Sequence, residues 1–231
     1  MVDLEFRILI MPVDSNFEKQ WLIKLHTALK RIGKDDLFSD VIIDKNKISL
    51  ITWIQKLMKI LNNSFSKEEI ISVMTSCACL TPKENLKPLC EEYAKTKDLK
   101  KVHTILQEVF EKFIKKYKNL NEEQMEFLRK NGWGMAGRLE GNTIYATKIP
   151  KEIHKYFQTP DEQKKKYYYC HCPRIRDLFL SNEETLDMNY CFCGAGFYKD
   201  IWEYILKREV KVEIIESVMK DDEVCKVAIH I

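Results

Sequence analysis

The chain has 231 residues, enough for one large domain or two small ones. With 45% hydrophobic residues, 32% charged residues and few glycines or prolines, it is not a disordered or low-complexity chain. A net charge of +3 lacks the strong basic footprint of a nucleic-acid binder, and no apolar run reaches the ~18–20 residues of a membrane span.

The opening MVDLEFRILIMPVD sets acids beside a short apolar stretch. It has no basic leader region and no small-residue cleavage site, so no signal peptide is expected and the chain reads as cytoplasmic. Phe17, Trp21, Leu25, Ala28, Leu29 and Ile32 repeat at helical spacing, and Gly33 follows as a stop. A second stripe runs through Leu50, Trp53, Ile54, Leu57, Met58 and Leu61 and ends at Asn62-Asn63. Ser66 with Glu69 three residues on predicts a capping box. The helix it starts carries Ile70, Ile71, Val73 and Met74 toward Cys77 and Cys79, with Pro82 as a stop.

A short helix is expected over 84–95. A long one starts at Asp98, with Leu99, Val102, Leu106, Val109, Phe110, Phe113 and Tyr117 on one face. Asn121 and Gln124 predict a further cap before EQMEFLRK. NGWGMAGRLEG, residues 131–141, then breaks the helical pattern with four glycines. It lacks the phosphate-loop pattern and precedes a strand rather than a helix, so it reads as a turn.

Beyond it the pattern is that of strands: NTIYATKI, KYYYCHC, VKVEIIESV and EVCKVAIHI, the last two forming a hairpin across Asp221-Asp222. Just before that hairpin, GFYKDIWEYILKR is an amphipathic helix with Phe197, Ile201, Trp202, Ile205 and Leu206 on one side. The expected architecture is α+β, with N-terminal helices packed on a C-terminal antiparallel sheet crossed by one helix. Residues 1–64 read as a helical extension and 65–231 as a cysteine-rich α+β domain, the two forming one compact unit.

Six of the eight cysteines fall in three C-x-C pairs: Cys77/Cys79, Cys170/Cys172 and Cys191/Cys193. In a reducing compartment such clustering favours metal binding or redox chemistry over structural disulfides. With KYYYCHC as a strand, Cys170 and Cys172 share a face about 6.6 Å apart and His171 points away. Tetrahedral zinc asks for sulfurs within ~4 Å, so side chains must converge, and Pro173 supplies a bend. The second pair is expected where a strand gives way to a helix, whose N-terminus favours thiolate. Cys225 lies in the last strand. C-x-C is not the commonest zinc spacing, which leaves four readings open: a cysteine-rich zinc site, an iron–sulfur cluster, a nucleophilic or redox thiol, or small buried side chains. His26, His103, His154 and His230 lack a ligand-spaced partner and read as structural.

The stretch YCFCGAGFYKDIWEYILKREVKVEIIESVMKDDEVCKVAIHI resembles the C-terminal part of the 4-vinyl-reductase domain family. Gly194-Ala195-Gly196-Phe197 stands at the helix start, Val210 to Ser217 forms the strand, and Asp222 and Cys225 match the family's Asp and Cys. Asp221 and Val227 depart from its Gly and Phe. More distantly, 65–231 resembles cysteine-rich bacterial and archaeal relatives and the thiazoline-carboxylate hydrolase-like family. The resemblance implies a fold shared with haem-based nitric-oxide-binding domains, enclosing a small-molecule pocket. It also implies zinc held by cysteines near the helix start and in the final hairpin. That points to Cys191 or Cys193 and to Cys225, with Cys170 and Cys172 as neighbouring additions and Cys77 and Cys79 ranked behind them. An iron–sulfur cluster stays open as the other cofactor.

The expected function is that of a zinc-binding sensor or carrier of a small, largely apolar molecule, its pocket lined by the Phe, Trp and Met residues of the helices. The alternative is a hydrolase using metal-bound water or a cysteine nucleophile. The expected partners are that ligand and a second copy in a homodimer, with no nucleic acid and no membrane span.

Overall fold

A computed structural model describes residues 17–78, 83–181 and 186–231. The expectations at Cys79 and Pro82, in the N-terminal segment and for the Tyr117 side chain lie outside the described residues. The fold is α+β: ten helices among the described residues, most of them N-terminal, and a four-stranded antiparallel sheet.

The helical half comprises α1 (Phe17–Arg31), α2 (Leu37–Ile42), α3 (Leu50–Ser64), α4 (Lys67–Ser76), α5 (Lys87–Thr96), α6 (Leu99–Lys118) and α7 (Glu122–Lys130). Local chemistry sets their starts. Ser49 Oγ accepts the Thr52 N–H, Asp98 accepts the Lys101 N–H, and full capping boxes form at Ser66–Glu69 and Asn121–Gln124. The apolar stripes of α1 and α3 meet at Trp21 and Trp53, whose rings stand edge to face at 6.0 Å. Trp53 is fully buried and donates its indole N–H to the Val41 carbonyl at 2.7 Å, tying down α2.

In the second half, β1 (Arg138–Glu140) and β2 (Thr143–Thr147) form a hairpin, α8 (Ile153–Gln158) and α9 (Glu162–Tyr169) follow, and α10 (Phe192–Leu206) leads into β3 (Lys211–Glu216) and β4 (Lys226–His230). The sheet order is β1-β2-β4-β3, so the C-terminal strand runs through its centre. Gly137 enters β1 with φ +64°, and a Cβ there would press on the Tyr145 backbone, which leaves room for glycine only. One contiguous core runs from Trp21 through Trp202 to Ile229. Trp21, Trp53, Met58, Met74, Phe110 and Phe113, expected to line a pocket, pack into that core.

Two expectations need correction. KYYYCHC is not a strand: Tyr167 to Tyr169 end α9, and Cys170 to Cys172 form the loop after it. Asp161 caps that helix by accepting the Lys164 N–H at 3.0 Å, which overrides the strand preference of three tyrosines. Nor does a strand precede α10; a 3₁₀ turn at Met188–Cys191 feeds straight into it. The glycine turn, in addition, holds the short strand β1.

Helix α10 lies between α4 and the sheet. Gly196 sits so close to α4 that a Cβ would overlap the Thr75 carbonyl oxygen. The obstacle is backbone, so it cannot rotate away. Gly196→Ala is therefore expected to destabilise the fold by about 1–3 kcal/mol through overpacking. Urea denaturation checks this, and an unchanged midpoint would count against the close crossing.

On the far side of α10, the His103 ring stacks on Trp202 at 6.3 Å, and burial holds its pKa below the ordinary 6.5. The unfolded chain therefore takes up the His103 proton first. Stability should be fully present above pH 6.5 and decline as pH falls from there through the lower folded-state value. His103→Gln should flatten that part of the stability–pH curve, measured by denaturation at a series of pH values.

Candidate functional site

Three separate pieces of chain bring thiols together. The loop after α9 carries Cys170 and Cys172, the start of α10 carries Cys191, and the residue before β4 is Cys225. Cys170 lies within electrostatic reach of Cys172, Cys225 and Cys191, and Cys191 within reach of Cys225 and Cys172. None of the seven described cysteines is joined in a disulfide.

Backbone and ring contacts hold this arrangement. The Lys148 N–H donates to the Cys225 carbonyl at 2.9 Å. Tyr169 O–H donates to the Lys148 carbonyl at 2.7 Å, and its oxygen accepts the Cys225 N–H at 2.8 Å. One buried phenol thus ties α9, the end of β2 and the start of β4 to a single point. His171, between the two loop cysteines, donates from Nε2 to the Ile149 carbonyl at 2.7 Å. A carbonyl only accepts, so Nε2 carries a proton and the ring braces the loop.

The residues after Cys172 anchor the loop on its other side. The Ile175 and Arg176 N–H groups turn back onto the Cys172 carbonyl. Arg174 is buried, stacks at 4.6 Å on both Phe17 and Trp21, and donates to Glu18 at 3.0 Å. Arg176 pairs with Glu152 at 2.5 Å and lies over Tyr167. The basic residues of the PRIR stretch are thus spent on internal contacts.

At the centre of the thiols stands Lys148, which the sequence reading did not single out. Its side chain reaches over α10 at residue 194, where a Cβ would run into the ammonium nitrogen. Glycine at 194 makes the slot. Cys191, Gly194 and Tyr198 share one face of α10 at spacings of three and four, while Cys193, about 200° round from Cys191, is buried on a different face. Cys77 stands apart at the end of α4, its thiol on the Val73 carbonyl at 3.3 Å.

The charges at this point are coupled. Burial disfavours the Lys148 ammonium, but negative charge on Cys225, Tyr198, Cys191 or Cys170 favours it, and the balance pushes its pKa up. Burial pushes the Cys170 thiol well up, and with Cys225 it pushes Cys191 up to about 12. Only Lys148 and the Ser217 hydroxyl, which donates to Cys191 Sγ at 3.8 Å, pull Cys191 back. Burial likewise raises Tyr198. Three thiols and the Tyr198 phenol are the groups whose ionisation would favour the Lys148 ammonium.

Four thiols and one compensating cation are the donor chemistry that a soft ion such as zinc takes. Among the described residues, no three His, Cys, Asp or Glu side chains stand ready-made as a metal cage. The donor set fits the ion in kind, and the thiol side chains would have to close on it.

Residues 145–231 match a family of unknown function, DUF6144. No curated protein and no solved structure matches the chain. The matched stretch contains every member of the cluster: Lys148, Tyr169, Cys170, Cys172, Cys191, Tyr198, Ser217 and Cys225. It leaves α1 to α7 and β1 outside.

The slot at Gly194 gives a direct check. In Gly194→Ala the ammonium must move, but it ends a flexible side chain, and the ~1 kcal/mol that alanine gains over glycine in a helix offsets the shift, so the fold should be little destabilised. The alkylation rate of the cluster thiols, followed by mass spectrometry, should change. An unaltered rate would remove Lys148 from the site.

Proposed function

We propose that the cluster is a zinc–thiolate centre held by Cys170, Cys172, Cys191 and Cys225, in a cytoplasmic domain that senses or carries a small molecule. The observation that carries this reading is the gathering of four thiols from three chain segments, with Cys170, Cys191 and Cys225 in electrostatic reach of the single ammonium of Lys148 and Cys172 in reach of Cys170 and Cys191. A four-thiolate zinc centre has a net negative charge, and a buried lysine supplies the partial compensation such a charge needs. Seven cysteines outside any disulfide suit a reducing compartment. The sequence resemblance of the α10–β3–β4 stretch to the 4-vinyl-reductase family supports the small-molecule role. Cys193 is left outside the ligand set because α10 turns it to another face.

A second reading is favoured by the same lysine. Cys225, the first-ranked thiol acting on the Lys148 ammonium, would be the nucleophile of a cysteine-dependent hydrolase.

Elemental analysis of anaerobically purified protein separates these readings. The zinc centre predicts about one zinc per chain, lost in Cys191→Ser and Cys225→Ser but kept in the control Cys90→Ser. A brown protein containing iron and sulfide would replace zinc by a cluster. Protein that folds without metal, with Cys225 alkylated far faster than the other thiols, would overturn the metal reading in favour of the nucleophile.

A further inference from the structure

A cleft of 410 Å³ opens between α6 and β1, away from the four cysteines of the cluster. His103, Gln107 and Glu111, each four residues from the last, present one stripe of α6 to it. Arg138 and Glu140 of β1 and Arg129 from the end of α7 supply the rest of its charge. The volume falls within the ~300–1,000 Å³ of small-molecule sites. All six side chains lie before residue 145, outside the stretch that carries the thiols.

The charges of this cleft are balanced and paired. Arg129 Nε donates to Glu111 at 3.3 Å while its other nitrogens pair with Glu122 and Glu126 outside the lining, Gln107 donates to Glu111 at 2.8 Å, and Arg138 pairs with Glu140. His103 Nε2 faces the Gly137 carbonyl at 3.1 Å, which fixes the proton on that nitrogen and leaves Nδ1 an acceptor. Burial keeps the imidazole neutral near pH 7. The lining therefore holds two guanidinium groups, two carboxylates and no net charge. A simple anion or cation meets as much repulsion as attraction here. A ligand bearing both charges a few ångströms apart meets attraction at both ends.

We propose that this cleft binds a small zwitterion of the α-amino-acid type, its carboxylate on Arg138 and its ammonium on Glu111. The Arg138 side chain is more than half exposed and can exchange Glu140 for a bidentate ligand carboxylate. Glu111 offers an acceptor to the ammonium, and the neutral His103 ring lines the same stripe two turns earlier. The proposal is independent of the metal reading, since it shares no residue with it.

The test is a thermal-shift screen of the full chain against the twenty amino acids, each at millimolar concentration. Binding of any hit is then compared with that of its N-acetyl and carboxamide derivatives. The proposal expects at least one amino acid to raise the melting temperature and both derivatives to lose the effect. Arg138→Ala, an exposed change that should leave the fold intact, is expected to weaken binding by about tenfold or more. It is overturned if no amino acid shifts the melting temperature, if either derivative binds as well as its parent, or if Arg138→Ala binds undiminished. Should that variant fail to fold, the comparison of derivatives on the unmodified chain still decides.

Discussion

Helix α10 can approach α4 as closely as it does only because residue 196 has no side chain. That crossing fixes where α10 begins. Its first turn then holds Cys191 beside Ser217, and residue 194, also glycine, leaves the space that Lys148 fills. The two glycines two positions apart thus serve different partners, one the backbone of a helix and the other the tip of a lysine. Trp202, fully buried further along α10, locks the same helix into the core, where truncation of so large a side chain costs about 3–5 kcal/mol. The placement of the thiols is a consequence of this packing and not of any regularity in the cysteine spacing.

Charge gives the site its character. A lysine placed at the start of a helix meets the positive end of the helix dipole, and burial adds to the cost. Thiols alone return little of that cost, because their own burial keeps them protonated. Ammonium and thiolate are therefore stable here only together. A soft cation closing on the sulfurs would displace their protons and leave an anionic centre for Lys148 to balance. The cleft under α6 follows the opposite rule. Its charged side chains already have partners of opposite sign, so the ligand proposed for it is one recognised by the shape of a charge distribution and not by net sign.

Much of the fold was legible because local rules and packing agree. The capping boxes at Ser66 and Asn121, the stripes through Trp21 and Trp53, and the final hairpin all follow from short-range chemistry. KYYYCHC was misread because its aromatic run suits a strand, while the deciding signal, Asp161 after Pro160, lies nine residues before Cys170. Within the site, Cys225 and the α10 cysteines could be located from the helix and final hairpin that follow the second C-x-C pair. Lys148 could not, being one of many lysines and standing just past the end of an ordinary strand. Only the tertiary fold brings it to Gly194. The helical period of α10 did hold a usable clue: position 194 is small and lies three residues after Cys191, so something had to fill that gap.

The central claim is that four cysteines from three segments share one soft ion around Lys148. X-ray absorption at the zinc edge of the purified chain tests it most directly. The account predicts a first shell of sulfur alone, about four atoms at ~2.3 Å. A shell containing nitrogen or oxygen, or zinc that washes out on dialysis with the fold unchanged, would contradict it.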